Sequence, residues 1–373
     1  MAYNNTANYW YKMNRTSKVH FPDSDARAVY AVAVPVMIFC CILAILLNTL
    51  VLLTIRFLRQ PVNPTLKLTY SLAGADIWTS LVIAGGLISH SYIPTAIDWP
   101  KAWWQDCASY ALEAFRLGGI LTSILHLLAL ACNHYSAIAY PIKYKSWAHR
   151  SGHWMDVSVF LLWICPCVFY FVVFAVYANK TFAPTVNECS SDFLGTLGFR
   201  VLVFFTIFVP LAILCLVYIK IAFLLRKLQG QLVFTRNEGI ELTSSRSTPS
   251  YQQNRRCSFV QRKTSVVMTA LLIVATSLLG WLPAVIFFVL TCSVCIYPYT
   301  SLHSFPWLLF SLTITVNALM IFKGLLNPFI YAVRIPEIKE AIVLFLGQNK
   351  WLNRHRSSSG RIDDVERRNL YAL

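Results

Sequence analysis

The sequence predicts an all-α membrane protein, a seven-transmembrane helix bundle with a short amphipathic helix after the seventh span. Three observations carry that expectation. Apolar residues make up 57% of the 373 positions and charged residues only 13%, about half the charge of a typical soluble chain. Apolar runs long enough for a bilayer, which takes roughly 20 residues, centre near Leu43, Leu81, Leu125, Leu161, Phe208, Leu272 and Met320. With the N-terminus outside, 23 of the 32 basic residues fall in cytoplasmic segments, eight lie outside and Lys323 sits within a span, as the retention of Lys and Arg on the inner face requires.

Each element follows in order. Residues 1–29 form an extracellular tail without the apolar core of a cleavable signal peptide, so the first span serves as its own membrane signal. The receptor domain covers 30–334, with helices expected at 30–55, 65–91, 107–138, 156–178, 197–226, 262–291 and 303–332. Residues 228–261, rich in Ser, Arg and Gln, read as a mobile cytoplasmic loop. Residues 335–346 alternate apolar and charged positions at helical spacing, as a helix lying on the inner membrane surface would. Residues 347–373 read as a disordered cytoplasmic tail.

Other signals agree with that orientation. Asn4, Asn14 and Asn179 carry the Asn-x-Ser/Thr glycosylation pattern, and all three fall outside. Most of the 11 cysteines lie within spans as small apolar residues, whereas Cys107, Cys189, Cys292 and Cys295 lie near the outer ends of helices, where oxidation is permitted. Two disulfides are expected, Cys107–Cys189 and Cys292–Cys295. The net charge of +16 is an inner-face property suited to anionic lipid and acidic partner surfaces, not to nucleic acid. No catalytic signature, cofactor fingerprint, metal-ligand spacing or duplicated half emerges, which argues against an enzyme and against a transporter of repeated halves.

In the last span, Asn327-Pro328-Phe329-Ile330-Tyr331 places a proline inside a membrane helix. The proline frees a backbone carbonyl and creates a hinge, and a neighbouring polar group must satisfy what was broken. Together with Asn48 in the first span, Leu72-Ala73-Gly74-Ala75-Asp76 in the second, Trp103 or Trp104 before Cys107, Trp163 with Pro166, Pro210 with Tyr218, and Trp281-Leu282-Pro283, this pattern resembles a rhodopsin-like (class A) G-protein-coupled receptor. The resemblance covers residues 30 to about 346. It implies a plasma-membrane receptor that binds an extracellular ligand and signals through a heterotrimeric G protein.

The departures fall where that family switches. Where it has Asp-Arg-Tyr at the inner end of the third helix, this chain has Asn133-His134-Tyr135, and Lys263 stands where helix six would offer an acidic partner. Arg is permanently charged whereas His is mostly neutral at cytosolic pH. With Tyr218, these residues form the expected coupling surface, and their substitution implies either a weakly restrained resting state or weak coupling. The alternative function is therefore a seven-helix binding or scavenging receptor. The resemblance further implies that Asp76, with Ser123 as helper, stands where the family holds a sodium ion. Lys323, four positions before Asn327 and on the same helix face, is expected to replace that ion with an internal salt bridge. An opsin-type Schiff-base lysine would stand six positions before the Asn, about 200° around the helix from Lys323.

Amine receptors of this family anchor the ligand on an Asp of the third helix, which is here Arg116 counted back from His134 or Ala114 counted forward from Cys107. Glu113 could hold an amine or satisfy Arg116 internally as an i,i+3 pair. Arg116 facing the pocket would favour a carboxylate or phosphate, with Trp281, Phe287, Asn317 and the aromatic rim of Tyr297, Tyr299, Phe305 and Trp307 supplying stacking area. The ligand classes left open are a peptide, an acidic lipid and an amine. On the inner side, Arg255-Arg256-Cys257-Ser258 and Ser357, Ser358 and Ser359 resemble phosphorylation sites that could recruit an arrestin-like partner. The final Tyr371-Ala372-Leu373 has the form that PDZ domains take up.

Overall fold

A computed structural model describes residues 24–58, 62–97, 104–150, 152–177, 192–242, 250–292, 297–298 and 305–347. Among the described residues, seven helices are long and apolar enough to cross a membrane. They are α1 (Ser24–Leu53), α2 (Pro64–Leu87), α3 (Trp104–Ala139), α5 (Gly152–Tyr177), α6 (Leu197–Leu242), α7 (Ser250–Leu290) and α8 (Pro306–Arg334). Two shorter helices are α4 (Pro141–Arg150) and α9 (Pro336–Gly347), both on the side expected to face the cytoplasm. The outer ends carry a π-helical turn at Ile88–Ile97 and a two-residue parallel bridge, in which Thr291 pairs with Tyr297.

The third span is the axis of the bundle. It packs on α2, α5 and α6, while α7 and α8 pack on each other and α8 closes the ring on α1. Of its most apolar window 67% is buried, against 22% for the fourth span, so the fourth faces lipid and the third faces protein. Close approach needs small residues. A Cβ on Gly119 would come within 2.9 Å of both the Thr79 Cγ2 and the Trp78 Cδ1.

Local chemistry sets the helix ends. Asn63 caps α2 by accepting a hydrogen bond from the Thr65 N–H at 3.1 Å, and Pro64 supplies a first-turn residue whose missing N–H costs nothing there. Pro336 starts α9 in the same way after Ile335 N–H bonds back to the Tyr331 carbonyl at 3.0 Å. The buried Ile338 and Ala341 of α9 face the bundle, and Phe345 meets Phe57 edge-on at 5.9 Å.

Three expected boundaries need correction. Residues 24–29, read as tail, are the first turns of α1, which opens on Ser24 and Asp25 as helix starts favour. Of the loop expected at 228–261, residues 228–242 continue α6 and residues 250–261 begin α7. Hydropathy ends a helix where the membrane ends, but the Leu, Arg, Gln and Glu in these stretches keep high helix propensity in water. Residues 243–249 lie outside the described residues. The surface helix was expected at 335–346 and runs Pro336–Gly347.

Candidate functional site

A deeply buried polar cluster is assembled from three spans. α2 supplies Asp76, and α8 supplies Lys323 and Asn327, four apart and therefore on one face. The Lys323 ammonium donates to Asp76 Oδ1, and the pair is 2% and 0% exposed. Asn327 Nδ2 donates to Asp76 Oδ2 at 2.6 Å, while its Oδ1 accepts from Thr276 of α7 at 3.3 Å. Lys323 Nζ also lies 4.2 Å from the centre of the Trp281 ring, which gives the cation a second face. An unpaired Lys at this depth costs at least about 3 kcal/mol, so the carboxylate and the indole together make the residue tolerable. Gly280 makes room for it, because a Cβ there would fall 2.8 Å from the Lys323 Cβ.

The proline hinge is satisfied from α1. Pro328 has no N–H to give the Gly324 carbonyl four positions back. Asn48 Nδ2 donates to that carbonyl at 3.0 Å, and to Ala44 O of its own helix at 2.9 Å. Tyr331, which ends the motif, is fully buried.

This donor set does not fit a sodium ion. Both Asp76 oxygens are engaged, and the ammonium supplies the positive charge a metal would bring. Ser123, expected as a helper, is buried, and its hydroxyl bonds to no described group. Trp281, expected at the ligand surface, is 2% exposed and covers Lys323 instead.

In the outer half of α3, Glu113 and Arg116 pair within the helix. Arg116 Nε donates to Glu113 Oε2 at 2.7 Å and Nη2 donates to Oε1, so both carboxylate oxygens are used. The pair is 27% and 24% exposed. Arg116 lies near Tyr170 of α5, whose hydroxyl meets Thr206 Oγ1 of α6 at 2.7 Å, so the guanidinium looks toward the junction of those three spans. Asn317 does not join this group; its amide donates to Thr313 O of its own helix at 3.0 Å.

A buried aromatic cluster lies apart from the expected rim. Phe174, Phe193 and Phe199 meet edge-on at 5.1 to 5.5 Å, and Phe288 adds to Phe199 at 6.2 Å. Phe305 and Trp307 remain exposed, and the side chains of Tyr297 and Tyr299 lie outside the described residues. Sequence reasoning missed Arg200 of α6, which is 3% exposed. It lies 4.1 Å from the Phe288 ring centre and donates to the carbonyls of Leu194, at 2.8 Å, and of Phe288 and Thr291. These last two are carbonyls at the end of α7, so Arg200 caps one helix from another. An Arg inside an apolar run was the available signal, since such a group must find partners.

At the inner end, Asn133 donates to Thr65 Oγ1 of α2 at 2.9 Å and accepts from the Tyr144 hydroxyl of α4 at 2.9 Å. Burial pushes the Tyr144 phenol above its ordinary value, opposed by its bonds to Asn133 and Thr65, so it stays a donor at neutral pH. His134 and Tyr218 are buried and Tyr135 is half-buried. Also missed was a link one to two turns deeper, where Trp163 Nε1 donates to Ser71 Oγ at 3.0 Å and that hydroxyl meets His126 Nε2 at 2.7 Å. The side chains of Lys263, Cys107, Cys189, Cys292 and Cys295, and all of Asn4, Asn14 and Asn179, lie outside the described residues.

Seven helices of membrane-spanning length, two of them tied by a buried charge pair, define a multi-pass membrane bundle. The chain belongs to the 7 transmembrane receptor (rhodopsin family), whose model matches residues 47–331. It is similar to trace amine-associated receptor 1 of Homo sapiens, 24% identical over 315 residues that cover 80% of this chain and 82% of the relative. Trace amine-associated receptor 7h of Rattus norvegicus is 25% identical, covering 83% and 80%. Somatostatin receptor type 2 of Sus scrofa is 28% identical over 269 residues, covering 70% and 64%. These relatives are receptors and not enzymes.

Proposed function

We propose that the chain is a plasma-membrane receptor, with its N-terminus outside, that binds an extracellular ligand bearing a carboxylate or phosphate and signals to a heterotrimeric G protein. The observation that carries the ligand class is the Glu113–Arg116 pair. Relatives named for trace amines suggest an amine held by a carboxylate, but both oxygens of Glu113 already accept from Arg116. Arg116 has five N–H donors and spends two on Glu113, which leaves a fork for an anion. A peptide and an acidic lipid both carry such a group.

The test is a panel of carboxylates, phosphates and amines on wild type, Arg116→Ala and Glu113→Gln, read by G-protein dissociation and arrestin recruitment in parallel. An acidic agonist whose response is lost in Arg116→Ala and kept in Glu113→Gln supports the reading. An amine agonist lost in Glu113→Gln overturns it.

A second reading, a binding receptor with weak coupling, is favoured by His134 standing where the family has Arg. Ligand binding without either transducer signal, restored in His134→Arg, would establish it. Equal basal output and equal coupling in both proteins would sink the idea that His134 alters restraint.

A further inference from the structure

A cavity of about 540 Å³ lies at the inner ends of α2, α3 and α5, against α4 and far in the chain from Glu113 and Arg116. Leu68, Ala129, Met155 and Leu162 make its deeper apolar wall, and Lys143, Tyr144 and Trp147 of α4 make its rim. The face beside it belongs to lipid: on the fourth span, Trp154, Phe160 and Leu161 are 70%, 62% and 49% exposed. Ile142 and Trp147 of α4, 86% and 47% exposed, place that short helix at the interface, where amphipathic aromatics settle. The exposed Lys143 and its neighbour Lys145 give the mouth a positive charge.

We propose that this cavity is a site for a long-chain fatty acid entering from the membrane, its acyl chain in the apolar wall and its carboxylate at Lys143. Size selects one chain. The cavity is of the volume that holds a single small ligand, and the two chains of a phospholipid would leave one outside. Charge selects the head: a carboxylate finds an ammonium beside the Trp147 ring, at the depth where lipid head groups lie. Position gives the site a consequence, because Asn133 and Tyr144, joined at 2.9 Å, form part of its wall. A chain seated there braces α4 against the residue that opens the Asn133-His134-Tyr135 motif. Only the naming of this leaflet as cytoplasmic rests on the orientation proposed above.

The test uses full-length receptor in phosphatidylcholine nanodiscs and palmitic acid carrying a photoreactive diazirine on its chain. Saturable labelling should map to peptides from α3, α4 and α5, and unlabelled palmitate should compete. Lys143→Glu, at an exposed position that does not threaten folding, should weaken labelling roughly tenfold, as loss of a charge-assisted contact does. Ala129→Trp, which fills the cavity, should abolish it in protein whose melting temperature matches wild type. Labelling unchanged by Lys143→Glu, labelling mapped to other spans, equal competition by palmityl alcohol, or better competition by phosphatidylserine would each overturn the proposal.

Discussion

Lys323–Asp76 and Glu113–Arg116 are both cation–carboxylate pairs on membrane-crossing helices, yet the first is 2% and 0% exposed and the second 27% and 24%. The first joins α8 to α2; the second spans three positions of α3. A pair removed from water has no alternative partner, so breaking it is costly although replacing both members is nearly neutral. A pair about a quarter exposed keeps some contact with solvent and is less costly to break than a fully buried one. The deep pair is therefore a fixed strut, while the outer pair is the easier of the two to break.

The largest effect should come from breaking the strut on one side. Lys323→Met leaves the Asp76 carboxylate buried without a cation and should lose about 3–5 kcal/mol. Thermal melting of purified receptor and surface expression both report it. Adding Asp76→Asn should recover most of that loss. If the single and double variants melt alike, the pair is not the strut.

Gly280→Ala is next, at about 1–3 kcal/mol, because its Cβ would lie 2.8 Å from the Lys323 Cβ, where real Cβ atoms are not found. The two sites touch, so their effects should not add. An additive Gly280→Ala, Lys323→Met double variant would show that the glycine serves some other contact.

Both pairs were legible in the sequence, for different reasons. Asp76 and Lys323 are ionisable groups at one depth, and the bilayer leaves such groups little choice of partner. Glu113 and Arg116 sit at helical spacing, so they meet whatever the fold. The seven spans were legible because membrane thickness sets their minimum length. Arg200 was not, since its partners are backbone carbonyls at the end of another helix, which carry no residue signature. Helix α4 was missed because ten residues of mixed polarity give no hydropathy signal, although Pro141 at its first position was a start marker.

Glu113→Gln tests the other side of the comparison. It removes the carboxylate from a partly exposed pair and should change the melting temperature by no more than about 1 kcal/mol of stability allows. A loss as large as that of Lys323→Met would mean that Arg116 is held as tightly as Lys323, and the outer pair could not yield to a ligand.

The smallest effect expected is the response of the strut to salt. An ammonium tethered on α8 cannot be diluted, so replacing sodium chloride with choline chloride should leave the wild-type melting temperature unchanged. Lys323→Asn removes the tethered cation while leaving the Asp76 carboxylate, which then gains from any small cation that enters. A ligand bound only by the folded state raises stability with its concentration, so sodium should raise the melting temperature of this variant and choline should not. The two halves of the experiment separate the causes. Sodium stabilising the wild type would mean that Lys323 leaves room for an ion. Sodium without effect on the variant would mean that Asp76 takes up a proton when the ammonium is gone, which pH dependence of the variant's melting would then reveal, with stability falling as pH rises.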